Sequence, residues 1–148
     1  MITIRQLLEK GAIDINDDIE FKTHADVLRL FGTDQKLIQR AFIRHPHEEG
    51  TRIWFPMFYD DDNNDWINTA SQDYGRVFEK KKIGNDEYLA DLVATSEWHR
   101  RILFAKIRPA NRIFYKFKGV YQLDVEMSLQ NKKAIYERVA TSATLFPA

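Results

Sequence analysis

The stretch Arg100 to Asp124, RRILFAKIRPANRIFYKFKGVYQLD, decides the fold class. β-Favouring apolar and aromatic residues interleave with basic ones on both sides of Pro109-Ala110-Asn111, so the segment reads as two strands joined by a turn, a basic β-hairpin. Period-two geometry puts Ile113, Tyr115, Phe117 and Tyr121 on one strand face, toward a core, and Lys116 and Lys118 on the other. From Glu97 to Lys118, seven cations (Arg100, Arg101, Lys106, Arg108, Arg112, Lys116 and Lys118) stand against the single acid Glu97, a local balance of +6. The whole chain is neutral, with 22 basic and 22 acidic residues, and the opposite bias lies upstream, where Glu48, Glu49, Asp60, Asp61, Asp62 and Asp65 face only Arg52. Such a basic patch suits phosphate groups if the cations cluster in space, and is a solvated strand face if they scatter.

Outward from the hairpin, the rest of the chain supplies helices and further strands. Thr3 and Gln6 have the spacing of a capping box before Leu7 and Leu8, with Gly11 as the stop. Thr23 caps a second helix bearing Val27, Leu28, Leu30 and Phe31 and stopped by Gly32. Thr33 starts a third with Leu37, Ile38, Ala41 and Phe42, which His45-Pro46 ends. Arg52 to Tyr59 reads as a strand with Pro56 at an edge or bulge, and Trp66 to Ala70 as its hairpin partner across the polar turn Asp60 to Asp65. Tyr74 to Lys82 gives another strand, Asn85 caps a helix with Tyr88, Leu89, Leu92 and Val93, and Ala134 to Ser142 gives a last strand. The expected fold is therefore α+β: a curved or barrel-like, mostly antiparallel sheet of five or six strands with flanking helices.

A chain of 148 residues, 44% hydrophobic, suits one core. The expectation is a single domain over 1–148, with a mainly helical segment over 1–45 and the barrel over 50–145, readable also as one domain excised from a longer nuclease-containing polypeptide. No apolar run reaches the roughly 18 residues of a membrane span and no signal peptide opens the chain, so a cytoplasmic protein is expected. The absence of cysteine excludes disulfides and thiolate chemistry. No Gly-rich phosphate loop, G-x-S-x-G elbow, H-E-x-x-H or dinucleotide fingerprint is present, and no cofactor is expected.

Three constellations carry chemistry. Trp54, Phe55, Phe58, Tyr59, Asp60, Trp66 and Asn68 bracket one turn and offer what an extruded nucleobase needs: flat surfaces to stack on, and donors and acceptors for its Watson-Crick edge. The same rings equally suit a core. Asp61, Asp62 or Asp65 with Glu79 and Lys81 fit the loose D, E-x-K pattern of a Mg²⁺-dependent nuclease. His45-Pro46-His47-Glu48-Glu49 has metal-binding residue types without a zinc spacing and reads as a surface loop.

The order of elements from Trp54 onward, with the strands FYKFKGVYQLD and IYERVATSA, resembles the small PUA-like β-barrels. It is most similar to the SRA-like specificity domains of modification-dependent restriction enzymes. The resemblance covers about residues 50–145, rests on pattern, and lacks the compact signature of eukaryotic SRA domains. It implies a module that binds double-stranded, modified DNA and flips a 5-methylcytosine-type base into an aromatic pocket, in restriction or phage defence, with cleavage left to a fused or associated nuclease. Carried onto this sequence, it implies stacking by Trp54, Tyr59 and Trp66, and edge reading by Asp60 or Asn68. Phosphate contact would fall to Arg100, Arg101, Lys106, Arg108, Arg112, Lys116 and Lys118. A protein-interaction or anti-defence module with an exposed apolar patch is the alternative from another class.

Overall fold

In the computed structural model, residues 2–33, 42–95 and 97–146 are described. Helix α1 (Ile4–Lys10) begins at the Thr3 capping box and ends at Gly11 in the left-handed region. Strands β1 (Ala12–Asp14) and β2 (Glu20–Phe21) flank a 3-10 turn, and α2 (His24–Arg29) starts at Thr23. Then come β3 (Phe42–Arg44), β4 (Thr51–Trp54), β5 (Trp66–Ala70), β6 (Arg76–Lys81) and α3 (Asn85–Ala94). The basic hairpin is β7 (Arg100–Ile107) and β8 (Phe114–Leu123), followed by α4 (Val125–Asn131), β9 (Ala134–Ala140) and β10 (Ser142–Thr144). The helix expected after Thr33 falls mostly outside the described residues, and Phe42, placed on it by the sequence reading, opens β3 instead.

Strands β3-β4-β7-β8-β9-β6-β5 form one path of an eight-stranded sheet, with β2 laid on β8, while β1 and β10 pair separately. Every strand pairing is antiparallel except β4 with β7, which is parallel. The curved, mostly antiparallel sheet is as expected, but two pairings are not. β5 pairs with β6 (Trp66 opposite Lys81), not with the strand at Arg52, which lies between β3 and β7. Pro56, with no N–H to give a ladder, follows the end of β4, and only the single bridge from Met57 to Lys106 continues its course. The first 45 residues also hold three short strands besides their helices, and α4, capped by the Asp124 side chain, is a helix that the sequence reading did not place.

Two cores pack on opposite faces of this sheet. One gathers the N-terminal elements around Phe104, whose ring lies 5.4–6.2 Å from those of Phe117, Phe21, Phe31 and Phe55. The other holds Trp54, Leu103, Tyr121 and Tyr136 with Leu89 and Leu92 of α3. A β-bulge in the hairpin lets β8 serve both. Leu103 faces Gly119 and Phe104 faces Phe117, leaving Lys118 as the extra residue. The parity of the strand changes there: Tyr115, Phe117 and Val120 join the first core and Tyr121 the second, so Tyr121 is not on the face that strict alternation gives it. The Tyr121 hydroxyl and Arg138 Nε both donate to the bulge carbonyl of Lys118, at 3.1 and 3.0 Å. Gly119 (φ +125°) is required, since a Cβ would lie 2.8 Å from the Ala140 carbonyl oxygen.

His45, offered by the sequence as part of a metal-like cluster, is a structural residue. Its Nδ1 accepts from the backbone N–H groups of His47 and Glu48, both at 3.0 Å, and its ring packs edge-on to Phe31 and Phe146. Nε2 is buried without a hydrogen-bond partner, the Glu48 carboxylate standing 3.7 Å away. Burial, then the neighbouring His47, holds the imidazole down at about 4. The unfolded chain, whose histidines titrate near 6.5, takes up this proton first, so the stability is complete above about pH 6.5 and is lost as pH falls toward 4. His45→Asn, which keeps an acceptor and cannot titrate, should show a smaller loss of unfolding free energy than wild type between pH 7 and pH 4.5, by roughly 1–3 kcal/mol. Equal losses in urea titrations of the two proteins would refute this account.

Candidate nucleic-acid interface

A cavity of about 430 Å³ opens where β4, β5, β6 and β7 curl toward α3, within the usual size of a small-molecule pocket. Its deep polar group is an ion pair between strands that are not neighbours. Glu79 on β6 and Arg101 on β7 stand three strand steps apart in the sheet, about 14 Å if it were flat, yet carboxylate and guanidinium are 3.8 Å apart. Both side chains are buried, and the guanidinium lies beside the paired rings of Trp54 and Tyr136, 4.7 and 4.8 Å from their centres. The Tyr88 hydroxyl of α3 donates to Glu79 Oε1 at 2.9 Å. Burial pushes the Glu79 carboxyl above its ordinary range, and Arg101 and Tyr88 pull it part of the way back.

The walls are aromatic and the rim is polar. Trp66 stands edge-on to Tyr88, ring centres 4.7 Å apart, and the cross-strand register puts Asn68 directly opposite Glu79. Asn68 Nδ2 donates to the Met57 carbonyl at 3.3 Å while its Oδ1 is buried with no partner. Phe55, Tyr115, Phe42, Arg52 and Lys106 complete much of the lining.

Of the expected pocket residues, Trp54, Trp66 and Asn68 meet at this cavity, whereas Tyr59 and Asp60 do not line it. Tyr59 lies under the Arg108 guanidinium, 4.4 Å from its ring centre, and Asp60 is exposed. The seven expected phosphate contacts divide. Arg101 is a correction: buried in its ion pair, it is off the surface. Arg112 and Lys116 are engaged by Glu20 and Asp18 from the N-terminal segment. Arg100 and Arg108 are exposed, Lys106 lines the cavity, and the partly buried Lys118 sits 4.2 Å over Tyr74.

The residues of the D, E-x-K pattern are not gathered as a metal site among the described residues. Glu79 is committed to Arg101 and Tyr88, Lys81 lies beside the Trp66 ring, and no cluster of three metal-ligating side chains occurs among the described residues. Exposed large apolar residues among those described (Ile4, Phe42, Ile67, Ile83, Ile113, Leu129 and Val139) sit on separate segments of the chain. The sequence reading missed Tyr88, Arg52 and the true place of Glu79. The available signal was an acid at an inward position of β6, between Val77 and Lys81.

The fold is thus a curved sheet with helices packed on it, holding an aromatic-walled cavity with a buried carboxylate. The profile of the SET and RING associated (SRA) domain matches residues 6–145, and the chain belongs to that family. The resemblance to modified-DNA-binding domains is thus borne out, and it extends over nearly all of the N-terminal segment. Among solved structures, the chain is similar to the 5-hydroxymethylcytosine-specific restriction enzyme AbaSI, with 28% identity and a TM-score of 0.80 over 98% of this chain. It spans about half of that protein, 46% of its length. None of the curated protein sequences compared with it matches.

Removing one member of a buried ion pair strands the other, at a cost of roughly 3–5 kcal/mol. Arg101→Met should therefore unfold far more readily in urea than wild type, and Arg101→Met with Glu79→Met should recover most of the loss. Additive losses in the double variant would show that the pair is not coupled.

Proposed function

We propose that this domain extracts a 5-modified cytosine from duplex DNA and holds it in the cavity, and that the domain carries recognition without cleavage. The observation that carries this reading is the facing pair Asn68 and Glu79, one with a buried, unsatisfied acceptor, set among the rings of Trp54, Trp66 and Tyr88. A carboxylate has lone pairs beyond those engaged by Tyr88 and Arg101, and cytosine presents an N4 amine where thymine presents an acceptor. Glu79 would accept from that amine, Trp66 would pack on the base, and Asn68 would take a donor from the base or its 5-substituent. The likeness to AbaSI points to 5-hydroxymethylcytosine as the favoured form, since a hydroxymethyl group brings a donor that a methyl group lacks.

The remaining length of AbaSI supports placing cleavage in a partner or fused domain. No described helix is long and apolar enough to cross a membrane, and a DNA ligand is consistent with work in the cytoplasm.

Fluorescence anisotropy with duplexes carrying cytosine, 5-methylcytosine or 5-hydroxymethylcytosine, without divalent metal, tests the reading. Wild type should prefer a modified duplex. Glu79→Gln, which keeps an oxygen for Tyr88 but not the charge that faces Arg101, should weaken that complex by roughly 1–3 kcal/mol and weaken plain duplex less, where binding without an extracted base does not reach Glu79. Trp66→Ala should likewise erase the preference. Equal affinity of wild type for all duplexes, or equal losses on all of them, would overturn the proposal.

A further inference from the structure

Three arginines stand side by side across three adjacent strands. The register pairs Arg44 of β3 with Arg52 of β4, and Arg52 with Arg101 of β7. Directly opposed like charges destabilise a sheet unless something compensates. Arg101 has its carboxylate, Glu79. Among the described residues neither Arg44 nor Arg52 has an ion-pair partner, and Arg52 Nε is buried with no hydrogen bond.

Aromatic rings hold these two cations instead. The Arg52 guanidinium lies 3.9 Å from the centre of Phe42 and 4.8 Å from that of Trp98, and Arg44 lies 4.9 Å from Trp98. Rings fix a guanidinium by its faces and leave its N–H edge free, the geometry that takes an oxyanion. Trp98 itself has φ +68°, an uncommon backbone for an aromatic residue, secured by its N–H donating to the Gly50 carbonyl at 3.2 Å. Desolvation and Arg101 pull Arg52 down to about 10, so it keeps its charge at neutral pH while lacking a counter-charge. Arg52 and Phe42 line the cavity, and Arg44 is exposed one strand further out.

We propose that Arg52 and Arg44, set by Trp98 and Phe42, form a clamp for a DNA phosphate next to the nucleotide held in the cavity. The inference rests on the base-extraction reading and adds to it the positioning of the backbone. A phosphate fits better than a base atom because the unmet charge runs outward from the cavity along the arginine row, and an extruded nucleotide brings its own phosphates to the mouth.

The test is a double-mutant cycle between protein and DNA. Duplexes with one 5-hydroxymethylcytosine carry a neutral methylphosphonate at each of the flanking phosphates in turn, and anisotropy gives the affinity of wild type and Arg52→Gln. At one flanking position the methylphosphonate should weaken wild-type binding roughly tenfold, as expected for a charged hydrogen bond. Arg52→Gln should lose a similar factor on the native backbone and nothing more on that methylphosphonate. Independent losses at every flanking phosphate would overturn the clamp. Wild type binding modified and plain duplexes equally, with the coupling intact, would overturn the base reading and leave the clamp standing, and binding to no duplex would overturn both. Arg44→Gln, at an exposed position, carries the same cycle if Arg52→Gln does not fold.

Discussion

The contact between Arg101 and Glu79 reaches across three strand steps, so it requires the curvature of the sheet, and it lines the cavity. Two charges taken out of water cost several kcal/mol each, and the cost is recovered only with close geometry and further hydrogen bonds. Here the recovery comes from Trp54 and Tyr136 beside the guanidinium and Tyr88 on the carboxylate. These groups belong to β4, β9 and α3, so satisfying one ion pair fixes four strands and a helix relative to one another. A methionine pair could fill the same volume, with no net loss of stability on physical grounds. What would be lost is a buried acceptor beside a row of aromatic rings, which is what a base reader requires.

Local signals found most of the elements and few of their partners. The capping residues Thr3 and Thr23 started helices where expected, and the alternation of Ile102, Phe104, Tyr115 and Phe117 marked the hairpin as β-structure. The pairing of β5 with β6, and of β4 with β3 and β7, was not legible, because an edge or crossover partner is chosen by distant side chains and not by the intervening turn. The bulge at Lys118 was hidden for a different reason. Strict alternation predicts one buried face, but one extra residue inverts it, and only the glycine that follows hints at the irregularity.

At the site, residue types were legible and roles were not. Trp54, Trp66 and Asn68 could be picked because aromatic and amide residues beside a turn are unusual away from a core or a ligand. Tyr59 and Asp60, equally suitable in type, do not line the cavity. Glu79 belonged by spacing to a metal-binding pattern, yet it is buried opposite Arg101 in the lining of the cavity. Charge was the least legible property. Seven cations in a row of sequence end as one buried pair, two cations engaged by N-terminal acids and a remainder spread from rim to surface.

That dispersal bears on how a domain of zero formal net charge could meet a polyanion. Counterion release scales with the phosphates actually neutralised, not with the net charge of the protein. Asp18 and Glu20 quench Lys116 and Arg112 on one side of the hairpin, which weakens any general attraction there. The uncompensated guanidinium at Arg52 is left beside the cavity, where low dielectric strengthens a single well-placed contact. Under the proposed extraction of a base, few strong contacts near the cavity, in place of many weak ones over the surface, would reduce binding to plain duplex more than binding to a duplex whose nucleotide has entered the cavity. If the proposed extraction holds, the neutrality of the chain would itself be a source of selectivity.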